Sequence, residues 1–434
     1  MIRRRTATLG LFGLLAACSH KHDIITGVQI PVLPDKTGMG VSINAPAVSL
    51  PAAKSLAAWP QPLANPAHVS GNVAGPLGFK PSWQTSIGAE GGYRQPLAAS
   101  PVVAAGHVFT MDANANVQAL SLSDGSVLWH TSTRPKHVTA QNIGGGIAYD
   151  SGKIYVSTGF AEALALDAST GKILWRQSLD SPARSAPLVA GGLVAVIVQN
   201  DLLLTFDEGS GAPGWRFSGS VGVPPMTAVS VVGAPAYADG ILVVGFSAGM
   251  LAAIDVNSGT PVWEQSLAAG FGQASTLDLS DVVASPIIAA GVVYALNLDG
   301  TFMAVDLHSG AKVWTHGAAG TQAPAASGGF LFLLDAKATL YAIHADDGLV
   351  SWATTLPLYR NEKKKNQPIV WAGPILINGM LVVVNDIGEA VLVDARTGKV
   401  QRTVKLDAPA DIPPLAVNGM LLQLTRNARL TSYV

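Results

Sequence analysis

Ala165-Leu-Asp-Ala-Ser-Thr-Gly-Lys-Ile-Leu-Trp175 decides how this chain folds, because the chain contains seven versions of it. The other six copies occupy residues 119–129, 205–215, 253–263, 304–314, 342–352 and 392–402, the last ending in Arg402 instead of tryptophan. A glycine takes the same place in every copy, and successive glycines are 46, 40, 48, 51, 38 and 50 residues apart. A period of that size with strand-like flanks is typical of the blades of a β-propeller.

One copy predicts the outer hairpin of a small antiparallel sheet. Leu164-Ala-Leu166 favours an extended strand, and Lys172-Ile-Leu-Trp175 begins the returning one. Between them Asp167 can accept hydrogen bonds from the backbone ahead of it, which starts a turn. Gly171 supplies the positive φ needed to leave that turn. Trp175 then brings a large flat side chain to the packing face of the blade.

The composition fits many short buried strands joined by tight turns. Apolar residues make up 49% of the 434 residues, charged residues 13%, and 46 residues are glycine, which argues against disorder. The formal net charge is −1 and no basic face stands out, so nucleic acid is not an expected partner. The histidines lack the spacing of metal ligands, and a single cysteine leaves no disulfide. We therefore expect no catalytic, cofactor-binding or metal-binding residues.

The repeat register predicts an all-β, eight-bladed propeller over residues 79–434. Each four-stranded antiparallel blade begins with an inner strand such as Ala99-Ser-Pro-Val-Val103 and ends with the repeated hairpin. The register opens with a lone outer strand around Trp83 and closes with three strands that lack an outer one. Pairing the N- and C-terminal strands completes the eighth blade and leaves no open edge.

The first 17 residues have the order of a bacterial lipoprotein signal peptide. Arg3-Arg4-Arg5 precedes an apolar stretch over residues 9–17, which is too short to span a bilayer. Leu15-Ala-Ala-Cys18 resembles a lipobox, which implies that Cys18 becomes the lipidated first residue. Ser19, rather than aspartate, beside it implies the outer membrane. The alternative is an ordinary signal peptide followed by a chance cysteine.

Residues 18–78 are interpreted as a tether behind the lipidated cysteine. They are rich in proline, alanine, serine and asparagine and show little periodicity. Trp59 is expected to pack the end of this coil against the propeller. Deleting residues 19–70 is therefore expected to cost far less stability than deleting residues 1–88, which also removes the strand around Trp83.

The repeat Ala-x-Asp-x-x-Thr-Gly-x-x-x-Trp resembles the tryptophan-docking repeat of pyrroloquinoline quinone propellers. With eight blades and a lipobox, residues 79–434 resemble the BamB family of outer-membrane assembly lipoproteins. Leu279-Ser-Asp-Val-Val-Ala-Ser-Pro286 is similar to a Leu-Ser-Asp-Val-Asp segment of that family, with Val283 replacing its second aspartate.

The resemblance implies a non-catalytic scaffold, lipid-anchored at the periplasmic face of the outer membrane and monomeric within a complex. It implies binding to the periplasmic domains of a BamA-like barrel-assembly subunit, with unfolded outer-membrane proteins as further partners. Where the family has a Leu-x-Leu-Arg loop before blade four, this chain has Met226-Thr-Ala-Val-Ser-Val-Val232, without the arginine.

Equivalent loops of adjacent blades emerge on one face of a ring, so residues 226–232 and 271–283 are expected to form one patch. The candidate partner-binding residues are Met226, Val229, Val231, Leu279 and Asp281. The alternative is that the apolar members are inward-facing strand residues and that Asp281 forms a turn.

Two other classes of function stay open. A quinoprotein dehydrogenase is disfavoured by the chain length and by the lack of a paired cysteine and of an acidic base beside a calcium site. A binder of small molecules or polysaccharides through the central channel is compatible with the fold. Lys363-Lys364-Lys365 is interpreted as a solvated loop rather than a patch for an anionic partner.

Overall fold

The computed structural model describes residues 39–92, 95–219, 233–267 and 281–434. These residues form eight four-stranded antiparallel sheets, one small hairpin and a single 3-10 turn, Ser247–Gly249. The predicted fold class, an eight-bladed propeller, is confirmed. Within these ranges no helix has the length and apolar character needed to cross a membrane.

Blades one to four each run outward from a short or medium inner strand. Blade one contains β2 (Val102–Ala104), β3 (His107–Met111), β4 (Asn116–Ser121) and β5 (Val127–Ser132). Blade two contains β6 (Gly145–Asp150), β7 (Lys153–Thr158), β8 (Glu162–Asp167) and β9 (Ile173–Ser178). Blade three contains β10 (Leu188–Ala190), β11 (Leu193–Ile197), β12 (Leu202–Asp207) and β13 (Pro213–Ser218). Blade four contains β14 (Ala236–Ala238), β15 (Ile241–Gly245), β16 (Met250–Asp255) and β17 (Pro261–Ser266).

Blades five to eight repeat this order. Blade five contains β18 (Ile287–Ala289), β19 (Val292–Leu296), β20 (Thr301–Asp306) and β21 (Lys312–Gly317). Blade six contains β22 (Ala325–Ser327), β23 (Phe330–Leu334), β24 (Thr339–His344) and β25 (Val350–Thr355), and the hairpin β26 (Tyr359–Asn361) and β27 (Asn366–Pro368) follows it. Blade seven contains β28 (Trp371–Ile377), β29 (Met380–Asn385), β30 (Glu389–Asp394) and β31 (Val400–Lys405). Blade eight contains β32 (Leu415–Val417), β33 (Met420–Thr425), β34 (Arg429–Tyr433) and β1 (Pro81–Ser86).

The burial of each strand follows from its place in the blade. A middle strand lies between two neighbouring blades, so both of its faces are buried and it needs an unbroken apolar sequence. Every residue of β23, Phe330-Leu-Phe-Leu-Leu334, is buried. The outer strand β5 instead has Trp129 and Thr131 half-buried and its other four residues exposed. The core is therefore a series of apolar layers between blades.

The aspartate of the repeated hairpin shapes its turn as the sequence predicts. Asp167 Oδ1 accepts hydrogen bonds from the backbone N–H of Ser169 at 3.0 Å and of Thr170 at 2.8 Å. Hydrogen bonds from the Ser169 and Thr170 hydroxyls and amides lower the pKa of Asp167. Gly171 leaves the turn at φ 71°, in the left-handed region that favours glycine.

Each repeat tryptophan docks on the hairpin glycine of the next blade. The Trp129 indole N–H donates to the carbonyl of Ala168 at 2.9 Å, and a Cβ added at Gly171 would lie 2.5 Å from the Trp129 ring. The glycine is thus required for space as well as for its φ. The other docked pairs are Trp83–Gly125, Trp175–Gly211, Trp215–Gly259, Trp263–Gly310, Trp314–Gly348 and Trp352–Gly398.

The two ends of the propeller close the ring, as predicted. β1 pairs with β34, with Trp83 opposite Ser432 and Gln84 opposite Thr431. Arg402, which replaces tryptophan in the last repeat, lies at this junction and donates a hydrogen bond to the carbonyl of Leu77. The last blade therefore has an outer strand, supplied by the first strand of the propeller.

Residues 56–73, here called the axial segment, pass around the inner edges of the blades. An inner strand pairs with its own blade on one side only, which leaves backbone groups facing the axis. Trp59 N–H donates to Val103 O at 2.7 Å, and Val103 N–H donates to Trp59 O at 2.8 Å in blade one. Further hydrogen bonds join Pro60 to Tyr149 in blade two, Gln61 to Val189 in blade three, Pro66 to Tyr237 in blade four, Ala67 to Ile288 in blade five, Val73 to Leu376 in blade seven and Leu56 to Asn418 in blade eight.

The axial segment is part of the folded core. Trp59, Gln61, His68 and Val73 are all buried, and burial lowers the pKa of His68 to about 4 while its Nδ1 lies 2.8 Å from the carbonyl of Pro286. The chain reaches the axis across blade six, where Ser42 N–H donates to Val350 O at 2.9 Å. From residue 39 onward, the stretch interpreted as a tether is therefore packed on the propeller.

Candidate interaction surface

The two segments predicted to bind a partner leave the ring at one end. Strand direction alternates within a blade, so the turn between the second and third strands lies at the same end as the connection to the next blade. Residues 220–232 connect blade three to blade four, and residues 268–280 connect blade four to blade five. Both connections therefore start and finish at the same end of the ring.

The downstream ends of these two connections touch each other. The backbone N–H of Ala234 donates to Ser285 Oγ at 3.0 Å. A Cβ added at Gly233 would lie 2.2 Å from the backbone nitrogen of Ser285, so the two chains pack at backbone distance. The two connections re-enter the ring side by side.

Four of the candidate partner-binding residues, Met226, Val229, Val231 and Leu279, lie outside the described residues, as does Cys18. Partner binding by these four residues and lipid attachment at Cys18 stay predictions. The fifth candidate, Asp281, is the first described residue after the second connection, and it is buried with an exposed fraction of 4%.

Asp281 belongs to a buried charge cluster centred on Arg184. Arg184 Nη1 donates to Asp201 Oδ1 at 2.8 Å, and Arg184 Nη2 donates to Asp281 Oδ2 at 3.5 Å. Ser247 Oγ lies 3.2 Å from Arg184 Nη1. The Arg184 side chain is 1% exposed and each of the two aspartate side chains is 6% exposed. Asp281 thus points inward to an arginine, and the expected exposed acidic rim does not include it.

This charge cluster, comprising Arg184, Asp201, Ser247 and Asp281, joins three blades. Arg184 precedes β10 in blade three, and Asp201 lies in the turn between β11 and β12 of the same blade. Ser247 lies between β15 and β16 of blade four, and Asp281 precedes blade five. Gly219 N–H, at the start of the first connection, donates to the carbonyl of Asp201 at 2.8 Å, so the cluster links the start of the first connection to the end of the second.

Burial and charge act in opposite directions on these groups. Burial lowers the pKa of Arg184, while the charges of Asp201 and Asp281 raise it. Burial raises the pKa of Asp201, while Arg184 lowers it. The attraction between the arginine and the aspartates offsets the cost of removing them from water only because all three are held together.

Sequence reasoning missed Arg184, although a signal was present. In Ala183-Arg184-Ser-Ala-Pro187 the arginine stands two residues before the small residue and proline of an inner strand, where blade five has Val283. The same position is apolar in blades one, four, five and seven, but it is Thr321 in blade six and Asp411 in blade eight. The arginine alone is therefore only a weak sign of a buried ion pair or a functional group. Its partners are 17 and 97 residues away in sequence, which sequence spacing alone cannot indicate.

The described residues offer no group of three or more histidine, cysteine, aspartate or glutamate side chains placed to hold a metal ion. The charge cluster itself contains two carboxylates, and an arginine occupies the position between them. Its chemistry is that of a structural ion pair.

The family model and the relatives found by sequence comparison carry the same family description. The family model described as outer membrane protein assembly factor BamB matches residues 113–354, more than half of the 434 residues. The BamB protein of Yersinia pestis is 27% identical over 355 residues, which covers 80% of this chain and 87% of that protein. The BamB protein of Escherichia coli K12 is 28% identical over 159 residues, covering 36% of this chain and 38% of that protein.

Solved structures of several other proteins share the fold. The crystal structure of BamB from Moraxella catarrhalis superposes with a TM-score of 0.67 at 18% identity, covering 80% of this chain and 99% of that one. A quinohemoprotein alcohol dehydrogenase from Comamonas testosteroni gives a TM-score of 0.68 at 14% identity, covering 86% of this chain and 80% of that one. Identities this low show the fold alone.

Proposed function

Because this chain belongs to the family of outer membrane protein assembly factor BamB, we propose that it is a non-catalytic scaffold of the outer-membrane β-barrel assembly machinery. In this proposal it binds the periplasmic domains of the barrel-assembly subunit through the two connections before blades four and five. The observation that carries the proposal is the contact of Ala234 with Ser285, together with the charge cluster beneath it. A rigid base under two adjacent connections suits a binding surface.

The experiment is co-purification of the barrel subunit with the affinity-tagged full chain from detergent-solubilised envelope. Val229→Asp combined with Leu279→Asp places two charges in the candidate surface and should reduce the recovered barrel subunit about tenfold. Asp281 is left unchanged in this variant, because Asp281→Arg would set a second cation against buried Arg184. The melting temperature should stay close to that of the wild type.

The matched control is Val262→Asp combined with Val313→Asp. These valines are 45% and 44% exposed on the outer strands β17 and β21. Full recovery of the barrel subunit by the folded test variant, or equal loss in the control, would place the interface elsewhere. Titration with pyrroloquinoline quinone and Ca²⁺ addresses the quinoprotein alternative, and a raised melting temperature there would favour it over the scaffold.

We propose further that Cys18 carries a lipid that holds the chain at the periplasmic face of the outer membrane. The basic, apolar and small residues before Cys18 occur in the order of a lipoprotein signal. In Cys18→Ser the exported protein should move from the outer-membrane fraction to the soluble periplasmic fraction. Retention of the unlipidated variant in the outer membrane would contradict the anchor.

A further inference from the structure

The hairpin β26–β27, between blades six and seven, is an ordered element that does not belong to any blade. Tyr359 pairs with Pro368 and Asn361 with Asn366. Glu362 Oε1 accepts hydrogen bonds from the backbone N–H groups of Leu358 at 2.8 Å and Tyr359 at 2.9 Å. These contacts close the hairpin, which lies at the end of the ring where the blade-to-blade connections are.

The tip of this hairpin carries an unbalanced positive charge. Lys363, Lys364 and Lys365 are consecutive and exposed. Arg360 pairs with Asp386 of blade seven at 3.3 Å, whereas none of the three lysines forms an ion pair with another described residue. The carboxylate of Glu362 is engaged with the backbone of the hairpin. The tip therefore attracts anions, at a strength that falls as salt concentration rises.

A cavity of about 250 Å³ opens beside the hairpin. Its apolar walls include Leu358, Ile369, Val370 and Trp371, and its polar lining consists of Thr321, Gln322 and Asp335. The Asp335 carboxylate already accepts hydrogen bonds from the Thr339 N–H and the Tyr341 hydroxyl. The volume equals that of about eight water molecules, and it lies below the range of about 300–1,000 Å³ for sites that enclose a cofactor or drug-sized ligand. The cavity has the size for one large apolar side chain.

The mouth of the cavity exposes apolar surface next to the charge. Val370 is 57% exposed, although the neighbouring Ile369 and Trp371 are buried. Pro368, which lines the cavity, follows Lys365 by three residues, and three residues of extended strand span about 10 Å. One bound segment can therefore place an apolar side chain in the cavity while its neighbouring residues reach the lysines.

We propose that this cavity and the β26–β27 hairpin form a docking site for an acidic polypeptide segment that carries one large apolar anchor side chain. The anchor fills the apolar cavity and acidic residues beside it pair with Lys363, Lys364 and Lys365. A buried apolar anchor flanked by charges is a common arrangement of binding energy at protein interfaces. The site lies between blades six and seven, away from the connections before blades four and five, and it stands independently of the proposed function.

A polypeptide fits these features better than a lipid surface. Lysines alone would suit phosphate headgroups, but a cavity of side-chain size between two rigid blades discriminates one inserted group from another. A segment that lacks the apolar anchor should therefore lose most of its affinity, whereas a headgroup interaction depends on charge alone.

The test uses the full chain and a synthetic heptapeptide with three glutamates on each side of one phenylalanine. The matched probe has alanine at the centre. Binding is followed through the NMR signal of the Trp371 indole N–H, which donates to Pro357 O at 2.9 Å beside the cavity. The phenylalanine peptide should shift this signal saturably at low salt, and the alanine peptide should bind about tenfold more weakly.

Two variants test separately how much the cavity and the lysine charges contribute to binding. Lys363→Glu, Lys364→Glu and Lys365→Glu together should weaken the phenylalanine peptide about tenfold or more. Ala336→Phe fills the cavity from an exposed residue of its wall and should make the two peptides bind equally. The matched control changes the exposed Lys172, Lys312 and Lys399 to glutamate. These lysines lie at the opposite end of the ring, so this variant should bind like the wild type.

Three results would overturn the proposal. The first is equal binding of the two peptides to the wild type, and the second is unchanged binding by both folded variants. The third is binding of phosphatidylglycerol vesicles through the three lysines without any response to the phenylalanine peptide, which would assign the hairpin to a membrane surface instead.

Discussion

At the scale of single residues, Arg184 makes contacts that the repeat pattern does not contain. Its guanidinium is nearly inaccessible to water and contacts groups from three successive blades. The repeat tryptophans join only adjacent blades, each through one ring and one hydrogen bond. Arg184 thus adds a link across blade four, where both candidate connections begin or end.

Replacing Arg184 by methionine should destabilise the protein strongly. The change removes the cation and leaves Asp201 and Asp281 buried together, which typically costs about 3–5 kcal/mol of unfolding free energy. The matched control is Arg216→Met, which breaks an exposed pair with Asp180 and should cost less than about 1 kcal/mol. Urea unfolding at fixed pH measures both.

The cost of Arg184→Met should also depend on pH. Burial already raises the pKa of Asp201 in the folded protein, and loss of Arg184 raises it further. A carboxyl group with a raised folded-state pKa favours folding below that pKa and loses this contribution as pH rises through it. The gap between variant and wild type should therefore be smaller at pH 5 than at pH 8. If Arg184→Met and Arg216→Met lower the unfolding free energy equally at pH 8, the charges of the cluster do not stabilise the fold.

At the scale of elements, the axial segment is the part of the structure that differs most from the usual blade order. It consists of residues 56–73, it has no regular strand of its own, and hydrogen bonds from its backbone and from the Gln61 side chain reach the inner edges of seven blades. Trp59 is buried, and its backbone forms two hydrogen bonds with Val103 of blade one. The segment therefore acts as a shared inner strand for most of the ring.

Deleting residues 19–70 should lower stability substantially. The structure revises the expectation that this deletion costs far less than deletion of residues 1–88, because it removes Trp59 and most of the inner-edge hydrogen bonds. Loss of a buried tryptophan alone costs about 3–5 kcal/mol, which corresponds to a melting temperature lower by at least several degrees. Deletion of residues 19–38 is the control and should leave the melting temperature unchanged. A deletion of residues 19–70 that melts like this control would show that the inner edges need no cover.

At the scale of the whole molecule, the ring was predictable because its repeats carry local signals. Gly171 and Trp175 hold fixed offsets in a turn and a strand, and the missing outer strand of the last blade required a partner such as the strand around Trp83. The axial segment gave no such signal, since its contacts are spread over seven blades. The direction of Asp281 was equally hidden, because it depends on an arginine 97 residues away.

The pairing of β1 with β34 has a consequence for the time course of folding. β1 is synthesised before the other blade strands, but it can pair only after β34 has been made. The axial segment likewise completes its hydrogen bonds only after blades seven and eight have been made. Contacts between such distant parts of a chain are slow to form. A growing chain that has not yet reached β34 therefore keeps an open seam, which proteases or chaperones can recognise.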